Sequence, residues 1–138
     1  MTAPNDWNKA IIEEFRANSG KVSGRFLGAP MVLLTTTGAK SGKRLTTPLV
    51  SLPDGERLLV FASKGGAPRH PAWYHNLVAN PTVTVEYGTE KFDAESEVIT
   101  GDEHDRLYAR QVAVFPGFGD YQKNTTRVIP VVALNRKR

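Results

Sequence analysis

Apolar residues fall at two different spacings along this chain. From Asp6, Trp7, Ile11 and Phe15 recur every fourth residue with Ile12 beside them. That is one apolar helix stripe, with Asn5 or Asp6 as its cap and Asn18-Ser19-Gly20 as its end. Residues 21–30 hold glycine and proline breaks and predict a connector. Met31 to Thr36 is short and β-branched, which predicts a strand. A second strand is expected over about 45–52 and its hairpin partner over 57–62, with Pro53-Asp54-Gly55 as the turn. A short helix is expected from about Pro71 to Asn80-Pro81. Residues 82–87 alternate as a half-buried strand and turn at Gly88-Thr89 into another over 92–99. Thr100 and Glu103 have the spacing of a capping box, and Leu107, Tyr108, Val112 and Phe115 give the helix after it an apolar face. Pro116-Gly117 should break that helix. An irregular polar segment, 120–127, is then expected to lead to a last strand over 128–134.

About six strands joined mostly by short turns predict a largely antiparallel sheet. Such a sheet removes its edges by curling into a small barrel. The fold expected is mainly β with peripheral helices. At 138 residues, the simplest organisation is one domain over 1–138 with an N-terminal helix.

Composition narrows the chemistry. There is no cysteine, so disulfides, thiolate metal sites and cysteine nucleophiles are excluded. The absence fits a cytoplasmic setting. No apolar run approaches the ~20 residues needed to span a bilayer. The net charge of +4, with Arg136, Lys137 and Arg138 at the end, favours an acidic ligand or peripheral contact with an anionic membrane surface. No nucleic-acid motif accompanies it.

The candidate site lies between Gly38 and Tyr74. Gly38-Ala39-Lys40-Ser41-Gly42-Lys43-Arg44 has three residues between its glycines, not the four of a phosphate loop, and Arg44 follows the lysine. Its expected role is a basic turn whose N–H groups and cations hold an anion. Ser63-Lys64-Gly65-Gly66 leaves the paired strand, with positions 61–64 placed opposite 45–48. Lys40, Lys43 or Arg44 and Lys64 are thus expected to converge. His70 and His75 are five apart, a poor metal spacing. Phe118 and Tyr121 are expected on an irregular segment as pocket walls, against the plainer alternative of core packing.

Several blocks together resemble the deazaflavin-dependent nitroreductase and quinone reductase family: Leu34 to Gly42, Thr47-Pro48-Leu49, Ala62 to Gly66, Pro71 to Leu77, Ala79-Asn80-Pro81, Asp120-Tyr121-Gln122 and Arg127 to Val131. The resemblance implies a split β-barrel like those that bind flavin mononucleotide. It implies hydride transfer from reduced coenzyme F-420 to a quinone or another activated unsaturated or nitroaromatic acceptor. By motif match it places Lys40, Ser41, Thr46, Thr47, Pro48, Leu49, Val50, Phe61, Ala62, Ser63, Lys64, Ala72, Trp73, Tyr74 and Asn76 at the coenzyme. Ser63 near the ring and Tyr121 at the acceptor oxygen are the expected catalytic groups. The alternative is a barrel that carries deazaflavin, flavin or haem without turnover. The resemblance leaves oligomeric state open. Two departures stand out. Leu45 occupies a place where the family often has arginine, and Phe115 and Phe118 stand where some members have tyrosine.

Overall fold

A computed structural model describes residues 6–18, 20, 30–63 and 70–137, with side chains from Lys9 onward. Lys64, Gly65, Gly66 and most of the connector over 21–30 lie outside the described residues. In chain order the elements are α1 (Asp6–Ala17), β1 (Met31–Thr37), β2 (Arg44–Asp54), β3 (Arg57–Phe61), α2 (Ala72–Ala79), β4 (Thr82–Tyr87), β5 (Glu90–Ile99), α3 (Gly101–Val114), α4 (Gly117–Lys123) and β6 (Val131–Arg136). The strands form a closed antiparallel barrel in the order β1-β2-β3-β6-β5-β4.

Alternation decides which side chains face inward. Val32, Leu34, Leu58, Val60, Val83, Val85, Ala94, Val132 and Leu134 fill the interior, and α2 sends Trp73 and Leu77 into the same cluster. The opposite faces of β1, β3 and β6 are also covered. Ile12 and Phe15 of α1 pack on Met31 and Leu33. Leu107 and Tyr108 of α3 and Phe118 of α4 pack with Leu59, Phe61, Val131 and Ala133. Burial on both faces is why β1 and β3 read as continuous apolar runs rather than alternating ones.

Helix α1 is anchored at its end as well as along its stripe. Arg16 donates to both carboxylate oxygens of Glu86 on β4, at 3.1 and 2.8 Å. Gly20 follows with φ +93°, and a Cβ there would lie 2.8 Å from the Gly88 Cα, so only glycine permits this approach to the β4–β5 turn.

Three expectations change. The Thr100 side chain makes no capping hydrogen bond. Glu103 instead meets Arg57 at 3.2 Å and Arg106 at 3.6 Å, a charged alternative that outcompetes the box. The segment after Pro116-Gly117 is helical over Gly117–Lys123, and β6 starts at Val131 rather than 128. Helix α4 forms despite its glycines because Phe118 is buried and its carbonyl accepts the Tyr108 hydroxyl at 2.6 Å. Tertiary packing overrides local propensity there.

Candidate functional site

Strand β2 changes partner along its length. Arg44 to Val50 pair with β1, whereas Ser51 to Asp54 pair with β3. The two pairings do not overlap. Over 44–50, β2 therefore has no strand partner on its β3 side among the described residues. Ser51 N–H donates to Pro30 O at 2.7 Å, on the β1 side. Strand alternation then turns the main-chain groups of Thr46, Pro48 and Val50 away from β1, toward the gap. Pro48 has no N–H to lose there, which suits an unpaired edge. The sequence-based register was offset: extending the observed pairing sets Phe61 opposite Val50, not opposite 45–48. The strands part at this point, and that parting is the split in the barrel.

The basic loop closes one end of the gap. Gly38 N–H donates to Lys43 O at 2.7 Å and Gly42 N–H to Gly38 O at 3.0 Å. Ala39 N–H donates to the Asn76 side-chain oxygen, and Lys43 N–H to Ser41 Oγ, each at 3.1 Å. A Cβ at position 38 would sit 2.5 Å from Ser41 Oγ and 3.2 Å from Lys43 O, so a side chain there would displace the serine hydroxyl. Four N–H groups of the expected cradle are thus already paired, three within the loop and one with Asn76. What remains for an anion is side-chain charge: Lys40 and Lys43 are exposed, and neither has an ion-pair partner among the described residues.

Arg44 does not join them. Its guanidinium donates to Thr37 at 3.0 Å and to Thr84 at 2.7 Å, and Thr84 in turn donates to Asp93. It serves the β1–β4 surface. Helix α2 fastens the loop from its other side. Asn76 donates to the buried Thr36 hydroxyl at 3.2 Å while receiving Ala39, and Asn80 donates to Thr37 O at 3.3 Å.

The remaining candidates divide by accessibility. Pro48, Phe61, Ala62 and Trp73 are buried, so their side chains shape the walls and only main chain can meet a ligand. Thr46, Thr47, Leu49, Val50, Tyr74 and Asn76 are half-buried, and Ala72 and Ser41 are exposed. Thr46 Oγ1 shares a 2.8 Å hydrogen bond with Thr35 across the strands. Ser63 is 8% exposed. Tyr121 is half-buried, its ring edge-on to Phe118 at 5.1 Å. Phe118 also meets Phe61 and Phe115 edge-on, so it is core rather than pocket wall. Val50 and Tyr121 each border the cluster that contains Phe61.

Arg127 and His70, neither of them expected at the coenzyme, complete the region. Arg127 donates to Ala62 O at 3.0 Å, to Ser63 O at 2.7 Å and to His70 Nδ1 at 2.9 Å. Burial lowers its pKa. Burial, then the charge of Arg127, then that of His75 lower the His70 pKa below the ordinary value. Tyr108, pushed up to about 12 mainly by burial, stays a phenol at any physiological pH. The resemblance included the Arg127 to Val131 block but gave Arg127 no role, because its partners lie 57 to 65 residues away in the chain.

At the other end of β2 a hollow is lined by Asp54, Glu56, Arg57, Asn135 and Arg136. Its charges are paired among themselves and with neighbouring helices and strands. Arg136 meets Glu90 at 2.9 Å and stacks 3.9 Å over Phe92, and Lys137 meets Glu95 at 3.8 Å. The two described residues of the basic run that suggested a membrane surface, Arg136 and Lys137, are therefore ion-paired. Among the described residues no helix is long and apolar enough to cross a membrane, and no group of three or more His, Cys, Asp or Glu could hold a metal.

An antiparallel barrel split along one strand pair, with a basic loop at the split, defines the class of split-barrel proteins. Within that class, the family described as F420H(2)-dependent quinone reductase matches residues 7–136, and the chain belongs to it. The chain is 41% identical over 129 residues to an F420H(2)-dependent quinone reductase of Mycobacterium tuberculosis, covering 89% of this chain and 85% of that one. A solved structure of an F420-H2 dependent reductase shares 41% identity over 77% of this chain and 94% of its own, with a TM-score of 0.71. A second solved structure, described only as a domain-swapped dimer, shares 36% identity over 96% of this chain and 100% of its own, with a TM-score of 0.73.

Proposed function

We propose that this chain transfers a hydride from reduced coenzyme F-420 to a quinone-like acceptor, with the coenzyme lying along the split between β2 and the end of β3. The observation that carries the reading is the stretch of β2 over 44–50, which among the described residues has no strand partner on its β3 side, flanked by Lys40 and Lys43, which have no ion-pair partner among them, in a member of a deazaflavin-dependent reductase family. The residues present fit the coenzyme's two demands. An anionic phosphate and glutamate tail needs convergent positive charge, which the loop supplies. A flat ring needs an apolar wall and main-chain partners, which Val50, Phe61 and the strand edge supply.

When bound, the reduced deazaflavin supplies the hydride. The chain's own work is binding, orientation and water exclusion. Lys40 and Lys43 hold the tail, with Ser41 setting the loop's shape. Thr46, Pro48 and Val50 present main-chain groups to the coenzyme, while Ala72, Tyr74 and Asn76 frame it from α2. Ser63, two residues past the end of β3, would meet the ring edge. On the acceptor side Tyr121 donates its phenolic proton toward the oxygen that gains charge. Membership of a reductase family favours turnover over a passive carrier of flavin or haem.

The test mixes reduced coenzyme and menadione with the protein and follows coenzyme absorbance. Protein-dependent oxidation of the coenzyme that requires menadione is expected. Tight binding of oxidised coenzyme without any such oxidation would favour the carrier instead.

A further inference from the structure

One guanidinium joins three parts of the site that sequence separates. Arg127 gathers the carbonyls of Ala62 and Ser63 at the end of β3 and His70 just ahead of α2. Its own main chain is held by α4: Gln122 donates to Arg127 O at 2.7 Å and accepts from Ile129 N–H at 3.0 Å. Gln122 is the neighbour of Tyr121. Beside the Phe61–Phe118 ring contact, Arg127 thus ties the main chain past the end of β3 to the helix carrying Tyr121. The planar fork of arginine can serve several acceptors in fixed directions, which the ammonium of lysine cannot.

We propose that Arg127 is a positioning residue for hydride transfer: it holds the Ala62–Ser63 main chain in register with the Tyr121-bearing helix, and His70 is the acid-sensitive member of the same clamp. The proposal rests on the coenzyme site described above. His70 Nδ1 can accept from a guanidinium only in the neutral ring, with its proton on Nε2. Among the described residues, the titratable or charged groups facing His70 are Arg127 from the segment after α4 and Tyr74 and His75 from α2. Protonation would set an imidazolium against the guanidinium and remove one acceptor. A histidine with a lowered folded-state pKa contributes stability that is complete above its unfolded value, about 6.5, and is lost as pH falls. The lowering of the His70 pKa by burial and by its cationic neighbours agrees with that direction.

Four variants test this: Arg127→Lys, Arg127→Ala, His70→Asn and His75→Asn. Amide exchange at Ala62 and Ser63 is measured without coenzyme, together with melting temperature. Affinity for oxidised coenzyme and the kcat and KM of menadione reduction are measured alongside. Arg127→Lys should exchange about tenfold faster at these two amides, and its kcat should fall by about 10²-fold, the scale of a misplacement near 1 Å. Millimolar guanidinium should restore part of the kcat of Arg127→Ala. Below about pH 6, exchange corrected for intrinsic rate should rise in the wild type. It should stay flat in His70→Asn, whose side-chain oxygen accepts without titrating, and still rise in His75→Asn. Wild-type exchange and kcat in folded Arg127→Lys would overturn the proposal. So would a lowered melting temperature with unchanged kcat, or an acid response that persists in His70→Asn. A wild type that binds coenzyme but never reduces menadione would sink the reductase reading alone, and exchange and affinity would still decide the role of Arg127.

Discussion

At the hairpin end of β2, Asp54 receives Arg110 at 2.8 Å and Arg57 at 2.9 Å, and Arg57 also reaches Glu103 at 3.2 Å. At the loop end, Lys40 and Lys43 stand exposed with no carboxylate partner among the described residues. The strand edges differ in the same sense. Near the hairpin, β2 is paired with β3 from Asp54 to Ser51; toward the loop, that side has no strand partner among the described residues. One end has satisfied its charges and main chain internally. The other keeps both available, and an open hollow at the hairpin end does not change that. Recognition of an anionic coenzyme follows unmet charge and unmet hydrogen bonds rather than empty volume.

The largest effect expected at the loop end concerns chemistry. Tyr121→Phe should lower menadione turnover about 10²-fold, the cost of one donor to a developing oxyanion, while coenzyme affinity stays within about twofold, since RT sets ~0.4 kcal/mol for that factor. Normal turnover with a lowered melting temperature would make this phenol structural. Next comes charge. Lys40→Ala with Lys43→Ala should weaken coenzyme binding about tenfold or more, one lost charge-assisted contact being worth ~1.5 kcal/mol. Added salt should shrink that difference. Arg110→Ala, at the hairpin end, should leave affinity unchanged. Equal losses from both ends would erase the contrast between them.

Much of this organisation was legible in the chain. The β-branched runs and turn residues indicated six strands and their short connections, because period and turn chemistry are local properties. The resemblance of the spaced blocks led us to expect the coenzyme at residues between Lys40 and Asn76 and the acceptor at Tyr121. What stayed hidden depends on partners distant in sequence. The N–H groups of the basic loop looked available until Asn76, 37 residues away from Ala39, was seen to take one of them. Arg44 looked like a third loop cation until Thr84 on β4 claimed it. Gly117 and Gly119 suggested irregular chain, yet burial of Phe118 and the Tyr108 hydrogen bond stabilise a helix.

Smaller effects sharpen the hairpin end. Hydrogen bonds from Arg110, then Arg57, lower the Asp54 pKa, so its contribution is present above the unfolded value, about 3.9, and lost as pH falls below it. Asp54→Asn should cost about 1 kcal/mol at neutral pH, and the gap to wild type should close in acid melts. A constant gap down to about pH 2, below both values, would show that shape rather than charge matters there. The smallest change is expected at Gln111 on α3, 1% exposed, whose Nε2 has no hydrogen-bond partner among the described residues. Gln111→Met should leave stability unchanged or raise it by up to about 1 kcal/mol, because an unmet buried donor is removed. Denaturant melts would check this, and a clear loss would mean that the amide is satisfied in solution.

Amide exchange with and without oxidised coenzyme F-420 tests the central claim most directly. Binding at the split should protect the main chain of Thr46 and Val50, which faces the gap, together with Ser63 and the loop at Lys40 and Ser41. The hairpin residues Asp54 to Arg57 should exchange as before. Protection confined to the hairpin end, with Thr46, Val50 and Ser63 unchanged at saturating coenzyme, would contradict the account.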